Sequence, residues 1–167
     1  MKILRAYTIY LLVLSLIPDV SANAEILHAT KVLVRKADRT MSLFHDNELL
    51  RTYTITLGRS PLGAKQKQSD GKTPEGSYLV DGRNNASKFH RSLHISYPNQ
   101  HDREHARQGN FNPGGDIMIH GMKNGFGWLG QLHRLFDWTD GCIAVTDSEM
   151  DEVWELVPIG TPIEIIP

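Results

Sequence analysis

Residues Ile117–Val145 read IMIHGMKNGFGWLGQLHRLFDWTDGCIAV. The chain's only cysteine, Cys142, stands directly after Gly141, and His120, followed by Gly121, lies 22 positions upstream. That separation is too long for one helical face and suits two strands joined by a loop. Ile117–Ile119 runs into His120 and Ile143–Val145 leaves Cys142, both short apolar runs rich in β-branched residues. A thiol at the start of one buried strand and an imidazole at the end of another can face each other across a cleft. They supply the minimum of thiolate catalysis, a nucleophile beside a base. Gly141 allows a sharp bend that turns backbone N–H groups, its own and that of Cys142, toward a bound carbonyl, and Gly121 gives the same freedom beside His120. His133, nine residues before Cys142, is the rival base. It falls in a loop or short helix, whereas a strand end fixes the ring of His120.

Outward from this stretch, the N-terminus has a different character. Lys2 and Arg5 form a basic start, Ala6–Ile17 is an apolar run closed by Pro18, and Ala22-Asn23-Ala24 fits a small-x-small cleavage site. Residues 1–24 therefore read as a secretory signal peptide, too short for a comfortable membrane span, with one domain over 25–167. The expected location is the periplasm or cell envelope, without a stable membrane anchor after cleavage. The full chain of 167 residues carries a net charge of −1, and removing Lys2, Arg5 and Asp19 takes it to −2. That balance argues against a nucleic-acid partner, which calls for a basic patch. A lone cysteine cannot form an intrachain disulfide, and in an oxidising compartment a lone thiol is exposed to oxidation or mispairing. Its place after Gly141 and downstream of a candidate base points to catalysis rather than inert packing.

The first half reads as a β-meander: strands at 31–36, 41–44 and 49–57, with turns at 37–39 and 45–47. Residues 58–76 read as a glycine- and proline-rich loop, solvated through its Lys/Gln run. A strand follows at 77–80, a turn region at 81–87, and a strand at 92–96 in which His94 projects opposite Leu93 and Ile95. His101-Asp102-Arg103-Glu104-His105 matches H-x-x-E-H, the inverted zinc-protease signature. Pro98 before it and Gly109, Pro113, Gly114 and Gly115 after it leave room for at most two helical turns. The reading is a short exposed helix lining the approach to the site, with no metal and no cofactor. Gly125–Gly130 reads as a flexible glycine-aromatic lip and Gln131–Phe136 as one or two helical turns. After Cys142, Asp147 or Ser148 can cap a helix at 149–157. Its Met150, Val153, Trp154 and Val157 form one apolar stripe, and the last strand is 163–166.

The pair His120-Gly121 and Thr139-x-Gly141-Cys142-Ile143 resembles the catalytic motif of the L,D-transpeptidases, the YkuD-type domain. Asp140 stands where the commoner pattern has His, and Ala144 where it has Arg or Asn; a branch with Gly-Cys-Ile-Ala-Val is the nearer match. Thr73-Pro74-Glu75-Gly76 entering a strand and Gly160-Thr161-Pro162 entering the last one extend the likeness over the whole of 25–167. The resemblance implies a mainly β fold, a curled sandwich or barrel with a helix near the C-terminus. It implies a cysteine acyltransferase acting on peptidoglycan stem peptides, with Cys142 as nucleophile and His120 as base. Thr139, Asp140, His133, Trp128 and Trp138 are the substrate-site candidates.

The implied reaction is attack on the L,D bond before the terminal D-alanine of a tetrapeptide stem, leaving an acyl-enzyme. An amine acceptor on another stem makes a cross-link, water makes the enzyme an L,D-carboxypeptidase, and release of a peptide from the wall is a third outcome. A reading from another class is a non-catalytic peptidoglycan-binding module, whose affinity survives loss of Cys142. The residues leave the choice of acceptor and the oligomeric state open.

Overall fold

The computed structural model describes residues 27–167. The expected signal peptide, 1–24, lies outside the described residues. The chain opens with the expected meander: β1 (Lys31–Arg35), β2 (Thr40–His45) and β3 (Glu48–Thr54), antiparallel neighbours. Alternation sets their faces, since Val32, Val34, Met41, Leu43 and Tyr53 are buried while their neighbours are not. β4 (Gly76–Asn84) and β5 (Ser92–Ile95) form the next hairpin. Then come helix α1 (Gln100–Gln108), β6 (Met118–His120), a 3₁₀ segment (Gly127–Leu135), β7 (Ile143–Ala144), helix α2 (Asp147–Leu156) and β8 (Pro162–Ile166).

The strands form one sheet in the order β3-β2-β1-β8-β4-β5-β6-β7. β8 inserts between β1 and β4, parallel to the first and antiparallel to the second. The sheet curls until its ends meet. Beyond β3, Thr56 and Ala144 exchange N–H···O bonds of 2.9 Å, and Arg59 N–H donates to the Thr139 carbonyl at 3.0 Å. The mainly β curled fold with a C-terminal-region helix thus stands as expected, and the closure joins the stretch after β3 to the residues around Cys142. One apolar core fills the curl, and Met150 and Val153 of α2, with Val157 at its C-terminal cap, complete it.

Four local readings are corrected. Residues 81–84 are not a turn: β4 continues through a bulge between Val80 and Gly82, and Arg83 lies over the Trp154 ring at 4.1 Å. The cap of α2 is Thr146, not Asp147 or Ser148. Its Oγ1 accepts from the Glu149 N–H and Glu149 reaches back to the Thr146 N–H, a capping box. α1 runs to nine residues, and it does not line the Cys142 cleft. Asp102 accepts from Tyr78 Oη and from Asn99 N–H, which docks the helix on β4 instead. The fourth correction concerns the 58–76 loop, which is not simply solvated.

Two of that loop's lysine partners are buried and fully engaged. Lys36 Nζ donates to the Gly63 carbonyl at 2.7 Å, the Thr73 carbonyl at 3.0 Å and Glu75 Oε1 at 2.8 Å. Lys65 Nζ donates to Asp70 at 2.9 Å, and Asp70 also accepts from the N–H groups of Gln66, Lys67 and Lys72. Burial acts to raise the Asp70 carboxyl, but these donors outweigh it and hold it at about 2. Replacing Asp70 by alanine leaves a buried ammonium without its partner. The expected cost is about 3–5 kcal/mol, read as a lowered denaturant midpoint at unchanged m; a loss within scatter of zero would show that the loop is not held through this pair.

Candidate active site

β6 and β7 run parallel, with Ile119 opposite Ile143 and His120 opposite Ala144. In that register Met118, His120, Cys142 and Ala144 share a parity, so the thiol and the imidazole belong to the same face of adjacent strands. With strands about 4.8 Å apart and a rise of about 3.3 Å per residue, such a diagonal pair has Cα atoms roughly 8 Å apart, within reach of a cysteine and a histidine side chain. The two residues therefore stand side by side rather than across a cleft, and both line a single cleft of about 510 Å³. Its other wall is the β4–β5 connection, Asn84 to Phe89, and its floor includes Asp116, Met118, Trp138, Thr139 and Asp140.

The turn before Cys142 is built from Thr139 and Gly141. Thr139 Oγ1 accepts from the Gly141 N–H at 3.1 Å and donates to the Cys142 carbonyl at 2.7 Å. Gly141 has φ +124°, and a Cβ there would lie 2.5 Å from the Lys72 carbonyl oxygen, so only glycine lets the 58–76 loop press against this turn. The same bond corrects an expectation: the Gly141 N–H is occupied by Thr139 and is not an oxyanion donor. The Gly121 N–H is also occupied, donating to the Arg91 carbonyl at 3.3 Å. The Cys142 N–H has no backbone or side-chain acceptor among the described residues.

His120 is 2% exposed. Its ring packs against Phe89 at 4.5 Å and edge-on to Trp138 at 5.8 Å between ring centroids. Nδ1 bonds the Gly121 carbonyl at 2.6 Å, so with the proton there, Nε2 is left as an acceptor. The backbone behind it is pinned by α2, where Asp147 Oδ1 accepts from the Met122 N–H at 2.7 Å; a Cβ on Gly121 would meet that same oxygen at 2.7 Å. Burial pushes His120 down to about 4, with the Gly121 bond opposing and nearby His133 assisting. Burial likewise pushes the Cys142 thiol up to about 11, opposed by the Met118 N–H and reinforced by Asp140 and Asp116. The thiol donates to the Asp116 carbonyl at 3.6 Å. Both groups are thus neutral at pH 7.

A consequence is measurable. Iodoacetamide alkylation of Cys142 is expected to rise about tenfold per pH unit and still be rising at pH 10, beyond the inflection near 8.5 of a free thiol. A plateau already reached at pH 7 would show a preformed thiolate–imidazolium pair instead.

The other substrate-site candidates separate. Thr139, Asp140 and Trp138 line the Cys142 cleft, and Asp140 is paired with Arg59. Trp128 does not: it is 76% exposed on the 3₁₀ segment, which is kinked at Gly130 and covers part of the expected flexible lip. His133 is buried beneath that segment, with Nδ1 3.4 Å from Thr56 Oγ1. It lines a separate apolar pocket of about 260 Å³ with Phe126, Leu129 and Phe136. Reading the sequence missed Phe89, Asp116 and Arg59. The first two flank strands whose ends were placed correctly, but pairing of Arg59 with Asp140, 81 positions away, leaves no local signal.

Residues 29–165 match the family model of the YkuD L,D-transpeptidase catalytic domain. The L,D-transpeptidase candidate YafK of Escherichia coli (strain K12) is 31% identical over 133 residues, covering 75% of this chain and 46% of YafK. The chain thus spans about half the length of the curated relatives it matches. Among solved structures, the helical cell shape determining protein Pgp2 from Campylobacter jejuni is similar in fold, with TM-score 0.63 and 23% identity over 81% of this chain and 46% of Pgp2. An L,D-transpeptidase from Mycobacterium smegmatis is similar in fold too, with TM-score 0.54 and 13% identity over 82% of this chain and 58% of its own. With a family match over nearly all the described residues and a curled sheet that carries Cys142 and His120 on one face, the chain belongs to the L,D-transpeptidase (YkuD) catalytic-domain family.

Proposed function

We propose that the protein is an exported cysteine acyltransferase acting on peptidoglycan stem peptides. The observation that carries this reading is the shared face of β6 and β7, with Cys142 and a fixed His120 lining one solvent-accessible cleft. A neutral thiol beside a neutral imidazole supports general-base attack over a resting ion pair. Rotation about χ1 takes Sγ from the Asp116 carbonyl toward His120 Nε2, which accepts the proton as sulfur attacks the amide carbon. The Cys142 N–H holds the developing oxyanion, a contribution on the order of 3 kcal/mol. The amine leaves with the proton from His120, and a thioester remains on Cys142.

The thioester passes to an amine of a second stem or to water. The test is incubation of the protein with a defined tetrapeptide muropeptide, with products weighed by mass spectrometry. A thioester adduct on Cys142 together with loss of alanine or joined stems is expected. Binding without any mass change would favour the non-catalytic module and overturn the proposal.

A further inference from the structure

Two irregularities fall on the same short segment. Of the ten large apolar side chains that stand exposed among the described residues, five are Phe126, Trp128, Leu132, Leu135 and Phe136. All three buried side-chain nitrogens that lack a hydrogen-bond partner among the described residues, His133 Nε2, Arg134 Nε and Trp138 Nε1, lie in that segment or just after it. Exposed leucines scattered singly need no explanation, but a concentrated set does. Buried donors without acceptors are rare in folded chains. A segment that leaves both apolar area in water and donors unanswered is packed for a contact that one copy of the chain does not supply.

The charges narrow the partner. Arg134 is held by Glu149 at 2.6 Å and Asp137 by Arg39 at 2.8 Å. Lys123, over the Phe126 ring at 6.0 Å, is the remaining charged residue between positions 123 and 137. One uncompensated charge is too few for an anionic membrane or a nucleic acid, both of which take clusters of Lys and Arg. A nearly neutral apolar face does not repel a second copy of itself. The five side chains present on the order of 600 Å² of surface, against roughly 800 Å² per partner in a specific interface.

We propose that this face is the contact between two copies of the chain, with the Phe126–Phe136 segments packed against each other about a two-fold axis. Leu132 and Leu135, three residues apart in 3₁₀ geometry, fall on one edge and form its centre. Gly125 and Gly130, both at positive φ, hinge the segment, so it can settle as the copies meet. The side-chain carbonyl of the exposed Gln131 is then an acceptor that one copy offers to the donors of the other. The contact reaches the active site through Trp138, which lines both the apolar pocket under this segment and the Cys142 cleft and stands edge-on to His120.

The test is sedimentation equilibrium of the unaltered protein and three variants, each with its melting curve. The unaltered protein is expected to dimerise with a micromolar dissociation constant. Leu132→Glu and Leu135→Glu replace side chains that are 59% and 78% exposed, so the fold of each copy survives. Each should weaken association by about 30-fold or more, the scale of a central contact residue. Leu62→Glu, at a side chain 84% exposed on the 58–76 loop, should leave the dimer intact. A protein that stays monomeric into the submillimolar range overturns the inference, as does a dimer that Leu132→Glu and Leu135→Glu leave unchanged. Monomers that float with phosphatidylcholine vesicles, and lose that behaviour in Leu135→Glu, overturn it in favour of a membrane surface.

Discussion

Cys142→Ala is expected to reduce release of D-alanine from a tetrapeptide donor by a factor on the order of 10⁴ to 10⁶, with a melting curve close to that of the unaltered protein. The size of the loss follows from what the thiol supplies. The acyl-enzyme route needs an atom that becomes covalently bonded, and no neighbouring group in the cleft replaces it: Thr139 Oγ1 is spent on the turn, and Ser87 belongs to the opposite wall. The small effect on stability follows from the contacts. Cys142 is only partly buried and its sulfur makes one weak bond, to the Asp116 carbonyl, while the backbone turn around it is held by Thr139. Cys142→Ser keeps the side-chain shape and should be nearly as inactive, because a hydroxyl beside an imidazole pushed down to about 4 is far harder to deprotonate than a thiol. Retention of most activity in either variant, with a normal melting curve, would remove the thiol mechanism.

Much of this arrangement was legible because it is written in local alternation. The meander shows period-two burial in β1 and β2, and the short apolar runs Ile117–Ile119 and Ile143–Val145 lead into His120 and out of Cys142. The C-terminal stripe works because Met150, Val153 and Val157 recur at helical spacing and meet the core. The features that local pattern does not show depend on contacts between distant segments. Nothing local distinguishes the buried Lys36 and Lys65 from their exposed neighbours; only Glu75, Asp70 and loop carbonyls make their burial tolerable. The continuation of β4 past Asp81 looked like a turn because its outer residues are polar, although Arg83 finds Trp154 across the fold. The cap is legible: Thr146 and Glu149 stand at the spacing of a capping box, a stronger sign than Asp147 or Ser148.

The site divides in the same way. The proposed nucleophile and the strand-end histidine follow from residue type and spacing. Which N–H groups remain available does not, because the Gly141 N–H is taken by a hydroxyl two residues earlier and the Gly121 N–H by Arg91. The neutral state of both reactive groups is equally invisible in the sequence. It arises from burial, to which Phe89 and Trp138 contribute at His120, the first from a loop on the far wall of the cleft.

His120→Ala is expected to slow acylation of Cys142 by a tetrapeptide donor by about 10²- to 10⁴-fold, the usual contribution of a positioned base. Three features put the burden on this ring. It shares a strand face with the thiol, its Nδ1 is committed to the Gly121 carbonyl, and its ring is packed against Phe89 and edge-on to Trp138, so Nε2 has little freedom. At pH 7 it is unprotonated and ready to accept, since burial keeps it near 4. Because alanine also empties a packed site, His120→Gln serves as the control: it keeps most of the volume, cannot act as a base at neutral pH, and should be as slow. His133 is buried on the other side of Thr56 and faces the apolar pocket under the 3₁₀ segment. His133→Ala should therefore change acylation much less, acting through the packing of that segment. Single-turnover acylation, followed by intact mass in both variants at matched folded fraction, decides between them. Near-normal acylation in His120→Gln together with a collapse in His133→Ala would transfer the role of base to His133.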